Sequence, residues 1–327
     1  MGTDHGRKGT EEMNIVVLDG YALNPGDLGW EGISRFGTLT VYDRTPALLT
    51  AERIRDAEII FTNKTRIGEA ELSAAPKLRF IGVLATGYDV LDLAALKAHN
   101  ITACNVPSYS TMSVAQLTMA LLMELCHHVG QHSDAVHSGK WSACPDYCFW
   151  DTPLVELDGK TFGVLGTGSI GCAAARMAAA FGMHVIGTSP HEKAAFPGSY
   201  VPFRTLLAQS DVLSLHCPCT PETTGVINRE TIGYMKDGAI LLNTSRGKLV
   251  NAPDLADALN SGKLYGAGLD VADPEPISAD NPLLTARNCI LTPHIAWAPL
   301  AARQRLMEVS GRNLEQFLAG KPINRIV

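Results

Sequence analysis

No stretch of this 327-residue sequence approaches the roughly 18 consecutive apolar residues of a membrane-spanning helix, and its first residues lack the apolar core of a signal peptide. Neither membrane insertion nor export is therefore expected, and the cytoplasm is the expected compartment. An excess of positive charge is also missing: 27 Lys and Arg stand against 33 Asp and Glu, a net charge of −6. Such a chain carries no electrostatic footprint for nucleic acid or an anionic membrane. The eight cysteines lack the spacing of a metal or redox motif. Cys144/Cys148 and Cys217/Cys219 are close, but neither has the second ligand pair of a zinc site, and Cys217-Pro-Cys219 is not CxxC, so reduced structural thiols are expected. His127, His128, His132 and His137 fall at helical spacings with no matching carboxylate or cysteine, and no metal is expected there.

What is present describes an ordinary globular protein, 46% hydrophobic and 18% charged, long enough for two domains with their own cores. Residues 1–12 are polar and are expected to form a disordered leader. The stretch Thr161–Pro190 organises the rest. An apolar run, Thr161–Leu165, leads into Gly166-Thr-Gly-Ser169-Ile170-Gly171, then an Ala-rich helical segment ending at Gly182, then a second apolar run, Met183–Thr188. This is a βαβ unit carrying GxGxxG in its required context. Gly166 permits the tight turn, Gly168 lets the backbone approach a pyrophosphate, and Gly171 allows close helix-strand packing, with the helix N–H groups facing the phosphates.

The N-terminal third alternates apolar runs at Asn14–Asp19, Glu58–Phe61 and Arg79–Leu84 with helix-compatible segments, which predicts a parallel sheet covered by helices. The third run ends in Ala85-Thr86-Gly87-Tyr-Asp89, whose N–H groups either hold a small anion or form an ordinary Gly-bearing turn. Ser110–Gly139 has few helix breakers and reads as one long helix, either a hinge or dimer surface or a core helix. Beyond the βαβ unit, four further runs end at Cys217-Pro218, Thr244-Ser-Arg246, Val271 and Pro293-His294, delivering polar residues to the cofactor edge of such a sheet.

Arg246, Glu275 and His294 each follow one of these runs. A nicotinamide enzyme acting on a 2-keto or 2-hydroxy acid needs a cation for the carboxylate, a proton donor at the carbonyl oxygen and a partner for that donor. A guanidinium grips a carboxylate through two hydrogen bonds, an imidazole transfers protons near neutral pH, and a carboxylate fixes the imidazole's tautomer. Singly, each residue has a bland reading as a surface or loop group; jointly they form a candidate catalytic trio.

The chain resembles the D-isomer-specific 2-hydroxyacid dehydrogenases from Met13 onward. The runs that carry the likeness are Gly166–Gly171, Leu206–Pro221, Met235–Val250 with Asn243-Thr-Ser-Arg-Gly247, Gly268-Leu-Asp-Val271 with Glu275-Pro276, and Pro293-His-Ile-Ala-Trp297. The resemblance implies an α/β fold of two Rossmann-like domains with parallel sheets. A discontinuous substrate domain, residues 13–104 and 295–327, receives an inserted NAD(P)-binding domain, residues 105–294. It implies a homodimer acting on a small 2-keto or 2-hydroxy acid, with Ala85, Thr86 and Gly87 holding the substrate carboxylate together with Arg246, and Trp297 shaping the pocket. Thr111, Cys217, Pro218, Thr223 and Thr244 match positions that line the cofactor, and Asp270 matches the residue that meets the nicotinamide carboxamide.

Within the family, Asn14–Asp27, Thr62-Asn-Lys-Thr65, Leu84–Asp89, Phe149-Trp-Asp-Thr-Pro153 and Trp297 resemble the branch of glycerate dehydrogenases, also called hydroxypyruvate reductases. Glyoxylate or D-lactate chemistry and a non-catalytic NAD(H)-sensing role are the alternatives. One departure stands out. NAD-preferring members place an acid at the end of the second strand of the unit, where this chain has Ser189, so a 2′-phosphate is not repelled and NAD or NADP use stays open.

Overall fold

The computed structural model describes residues 12–327, so the expected leader lies outside the described residues except for Glu12. The chain divides into two units, one running to Tyr109 and joined by Ala298–Val327, the other Ser110–Trp297.

Among the described residues, the first unit is built on five strands: β1 (Asn14–Val17), β2 (Thr38–Val41), β3 (Ile59–Thr62), β4 (Phe80–Val83) and β5 (Thr102–Cys104). All pair in parallel, in the order β2-β1-β3-β4-β5. Parallel sheets are covered on both faces, which is why β3 and β4 read as unbroken buried runs instead of alternating ones. The helix Leu300–Leu318 returns to this sheet, with the Phe317 ring 4.8 Å from that of Phe80. Ile326 N–H then donates to Ala103 O at 2.7 Å, beside the edge strand.

The second unit contains seven strands: β6 (Thr161–Leu165), β7 (His184–Thr188), β8 (Ser199–Tyr200), β9 (Val212–Leu215), β10 (Ala239–Asn243), β11 (Leu264–Leu269) and β12 (Cys289–Leu291). Their order is β12-β11-β10-β9-β6-β7-β8, again parallel throughout. The Ala-rich helix Ser169–Ala180 packs its small residues against the helix Thr111–His127 and buries Ala174 and Ala175 completely.

The single helix expected over Ser110–Gly139 is two. Thr111–His127 and Val129–His137 are separated by His128, whose φ of +47° and ψ of +47° are left-handed. The apolar stripe accounts for the break. Buried residues run along the first helix and none occur on the second, which lacks the packing that would hold it collinear. His128 Nε2 lies 3.3 Å from the Tyr265 hydroxyl, which itself donates to Pro153 O at 3.0 Å.

Candidate functional site

Strand order in the second sheet reverses between β6 and β9, and open α/β sheets bind ligands beyond the carboxyl ends of their strands at such a reversal. The Gly-rich turn follows β6 there. Gly166 has a φ of +97°, and a Cβ on it would lie 2.6 Å from Cys217 N, so the turns after β6 and β9 run against one another. A Cβ on Gly171 would come within 2.2 Å of Gly166 O. These approaches bring the turn tightly onto the start of helix Ser169–Ala180. Gly168 caps that helix without a side-chain bond to its first N–H groups, and the space beside Gly168 is open to 4 Å. An uncapped helix start with Ser169 and Ile170 in its first turn and an unobstructed approach fits a pyrophosphate.

At the ribose end, Ser189 is half-buried one residue beyond β7, while His191, Glu192 and Lys193 are exposed. Tyr200, on β8, ties this segment to the fingerprint. Its hydroxyl accepts from Lys193 N–H at 2.7 Å and lies 2.9 Å from the Oγ1 of fully buried Thr167. Sequence reasoning missed Tyr200, because a contact spanning 33 positions between two hydroxyls leaves no periodic trace.

After β9, His216 Nε2 lies 2.8 Å from Ser214 Oγ, and burial of the imidazole pushes its pKa down to about 4. Burial pushes the Cys217 thiol up to about 11, so it stays protonated. Pro218 O accepts from Thr223 Oγ1 at 2.8 Å, closing the turn that follows. Beyond β10, Asn243 folds the turn carrying Arg246. Its Nδ2 donates to Arg246 O at 2.8 Å and its Oδ1 accepts from Ser245 N–H at 3.0 Å. The Arg246 guanidinium is half-buried and donates through Nη1 to Ser245 O at 2.9 Å. Thr244 Oγ1 lies 3.0 Å from Thr118 Oγ1 on the helix Thr111–His127, whose first residue is Thr111. Asn243 and Thr118 were also missed; the strand-end asparagine was the available signal.

The imidazole comes together with its carboxylate. His294 Nδ1 and Glu275 Oε2 are 2.8 Å apart, with 27% and 35% of the two side chains exposed. Glu275 Oε1 accepts from Ala272 N–H at 3.2 Å, anchoring the carboxylate to its own loop. His294 has a φ of +55°, and its turn is held from behind by Asp270, which is fully buried one residue past β11. Asp270 Oδ1 accepts from Thr292 Oγ1 at 2.6 Å and Ile295 N–H at 2.9 Å, and Oδ2 from Ala296 N–H at 2.8 Å. Trp297 is half-buried just beyond. Ala85, Thr86 and Gly87 belong to the first unit, directly after β4 and Leu84. Among the described residues no group of three or more His, Cys, Asp or Glu could hold a metal ion, and no helix is long and apolar enough to cross a membrane.

Residues 119–296 match the family model for the D-isomer specific 2-hydroxyacid dehydrogenase, NAD binding domain. The chain is 53% identical over 318 residues to a hydroxypyruvate reductase of Blautia hydrogenotrophica, covering 95% of this chain and 99% of that one. It is 39% identical over 276 residues to a glycerate dehydrogenase of Methylorubrum extorquens, covering 84% and 86%. An acyclic imino acid reductase solved in complex with NADPH and D-Arg superposes with a TM-score of 0.84 at 30% identity, covering 96% of this chain and all of that one. The NAD-binding sheet, the open fingerprint turn and the paired imidazole thus occur in a chain that belongs to the D-isomer specific 2-hydroxyacid dehydrogenase family.

Proposed function

We propose that this oxidoreductase is a hydroxypyruvate reductase, interconverting hydroxypyruvate and D-glycerate. The observation that carries the reading is the likeness to the hydroxypyruvate reductase of Blautia hydrogenotrophica over nearly the whole of both chains. When bound, the nicotinamide supplies the hydride for C2 of the keto acid. His294 gives the proton: with Nδ1 turned to Glu275, Nε2 is the nitrogen that serves the carbonyl oxygen, and Glu275 stabilises the charged ring before transfer. Arg246 and the N–H groups of Ala85–Gly87 hold the carboxylate, and Trp297 shapes the pocket. Gly166–Gly171 receives the pyrophosphate, Ser189 faces the adenosine ribose, and Thr111, Cys217, Pro218, Thr223 and Thr244 line the dinucleotide. Asp270 meets the carboxamide in addition to holding the His294 turn.

The protein acts in the cytoplasm as a homodimer. Val129, Val136, Trp141, Tyr147, Trp150 and Leu154, on the second helix and the loop after it, are exposed apolar side chains that support self-association. The experiment is a side-by-side assay of hydroxypyruvate, glyoxylate and pyruvate reduction and of phosphite oxidation, with each dinucleotide. Hydroxypyruvate with the highest kcat/KM is the expected result; equal or better turnover of another acid would overturn it.

A further inference from the structure

The first unit has a crevice of its own. Its sheet, β2-β1-β3-β4-β5, reverses between β1 and β3, the place where open sheets of this order take a ligand. Here a side chain of the protein occupies that place. Asp19, just past β1, extends its carboxylate into the loop after β3. Oδ1 accepts from Asn63 N–H at 2.7 Å, and Oδ2 accepts from Lys64 N–H at 2.6 Å, Thr65 N–H at 2.8 Å and Thr65 Oγ1 at 3.1 Å. Successive N–H groups wrapped around one anion form a nest, and charge-assisted bonds make it stiff.

Asn63 links this loop to Leu84, the residue just past β4. Asn63 is 6% exposed, and its Nδ2 donates to Leu84 O at 2.8 Å. The peptide bond is planar, so a held carbonyl aims the N–H of the following residue in the opposite direction. Asn63 therefore aims the Ala85 N–H. Val106 N–H donates to Ala85 O at 3.0 Å and so aims Thr86 N–H, and Asn105 Nδ2 donates to Thr86 O at 2.7 Å and so aims Gly87 N–H. Each of these consecutive peptide planes is gripped from its carbonyl side. The N–H groups of Thr86 and Gly87 have no backbone partner among the described residues.

We propose that Asp19 and Asn63 are positioning residues of the substrate-carboxylate site: the internal carboxylate organises the loop after β3, and Asn63 transmits that order to the peptide plane of Leu84–Ala85. The inference rests on the assignment of the Ala85–Gly87 N–H groups to the substrate carboxylate.

The test uses the full chain and three variants, Asp19→Asn, Asn63→Ala and Asn105→Ala. Measured for each are kcat and KM for hydroxypyruvate, inhibition by oxamate as a carboxylate probe, and NADH binding by fluorescence. In the Asp19 and Asn63 variants, KM and the oxamate inhibition constant rise together by about tenfold, while kcat stays within about threefold and NADH binding is unchanged. Asn63→Ala removes one bond and leaves the nest intact, so it keeps the test decisive if Asp19→Asn does not fold. If only Asn105→Ala raises KM, the amide assignment stands and the role of Asp19 and Asn63 is overturned. If no variant moves KM or oxamate inhibition, the amide assignment itself fails and takes this inference with it. Weakened NADH binding in parallel with KM would show general damage and also overturn the proposal.

Discussion

His294 Nδ1 lies 2.8 Å from Glu275 Oε2, and the same carboxylate accepts from Ala272 N–H through its other oxygen. One carboxylate thus fixes both the ring and the loop beneath it. His294→Asn removes the proposed proton donor and should lower kcat by roughly 10²–10⁴-fold. Glu275→Gln keeps the shape and loses the charge, so a smaller loss is expected, about 10–100-fold. Steady-state reduction of hydroxypyruvate at saturating cofactor checks both, with NADH binding expected to be intact.

Asp270→Asn should damage catalysis and stability together. Its two oxygens accept from Thr292, Ile295 and Ala296, and an amide must turn its NH₂ toward at least one of those donors. A lost bond to a buried charged group costs on the order of 2 kcal/mol. Urea unfolding should show that loss, and kcat should fall because the left-handed turn carrying His294 is no longer held.

Ser189, one residue beyond β7, is the proposed neighbour of the adenosine ribose. Ser189→Asp should shift the ratio of kcat/KM for NADH over NADPH toward NADH by at least about tenfold, because the new carboxylate accepts from ribose hydroxyls and repels a 2′-phosphate. Parallel titrations with the two dinucleotides decide it; an unchanged ratio would move the determinant elsewhere.

Acid sensitivity should trace in part to His216, whose pKa burial pushes down to about 4. In the unfolded chain an imidazole takes its proton near pH 6.5. Below that pH the unfolded state binds more protons than the folded state, so stability is full above about 6.5 and falls as pH drops toward 4, by on the order of 3 kcal/mol at most. Urea unfolding at about pH 7.5 and about pH 5 should show a steeper loss in the wild type than in His216→Asn. Equal slopes would exclude His216 as the source.

Much of this architecture was legible in the sequence because both sheets are parallel and buried on two faces. Strands such as Ile59–Thr62 and Ala239–Asn243 appear as short solid apolar runs, and the glycines at 166, 168 and 171 mark where the second sheet opens. What escaped has a common physical origin. The strand Thr38–Val41 is largely exposed at a sheet edge, and Ser199–Tyr200 is two residues long, so neither carries a hydrophobic signature. The left-handed turn at His128 falls on a residue type that does not itself break helices, and its contact with Tyr265 spans 137 positions, so the sequence does not announce it. Asp19 meets partners 44 to 46 positions away, a separation at which side-chain hydrogen bonds leave no pattern in one sequence.

The return of Leu300–Leu318 to the first sheet has a kinetic consequence. A ribosome makes β1–β5 early, yet the helix and the Ile326 contact that cover Phe80 and Ala103 emerge only after all of Ser110–Trp297 has been synthesised. The inserted unit can finish folding first, while its host waits with an uncovered apolar face. Nascent chains should therefore lean on holdase chaperones until their final helix has cleared the exit tunnel.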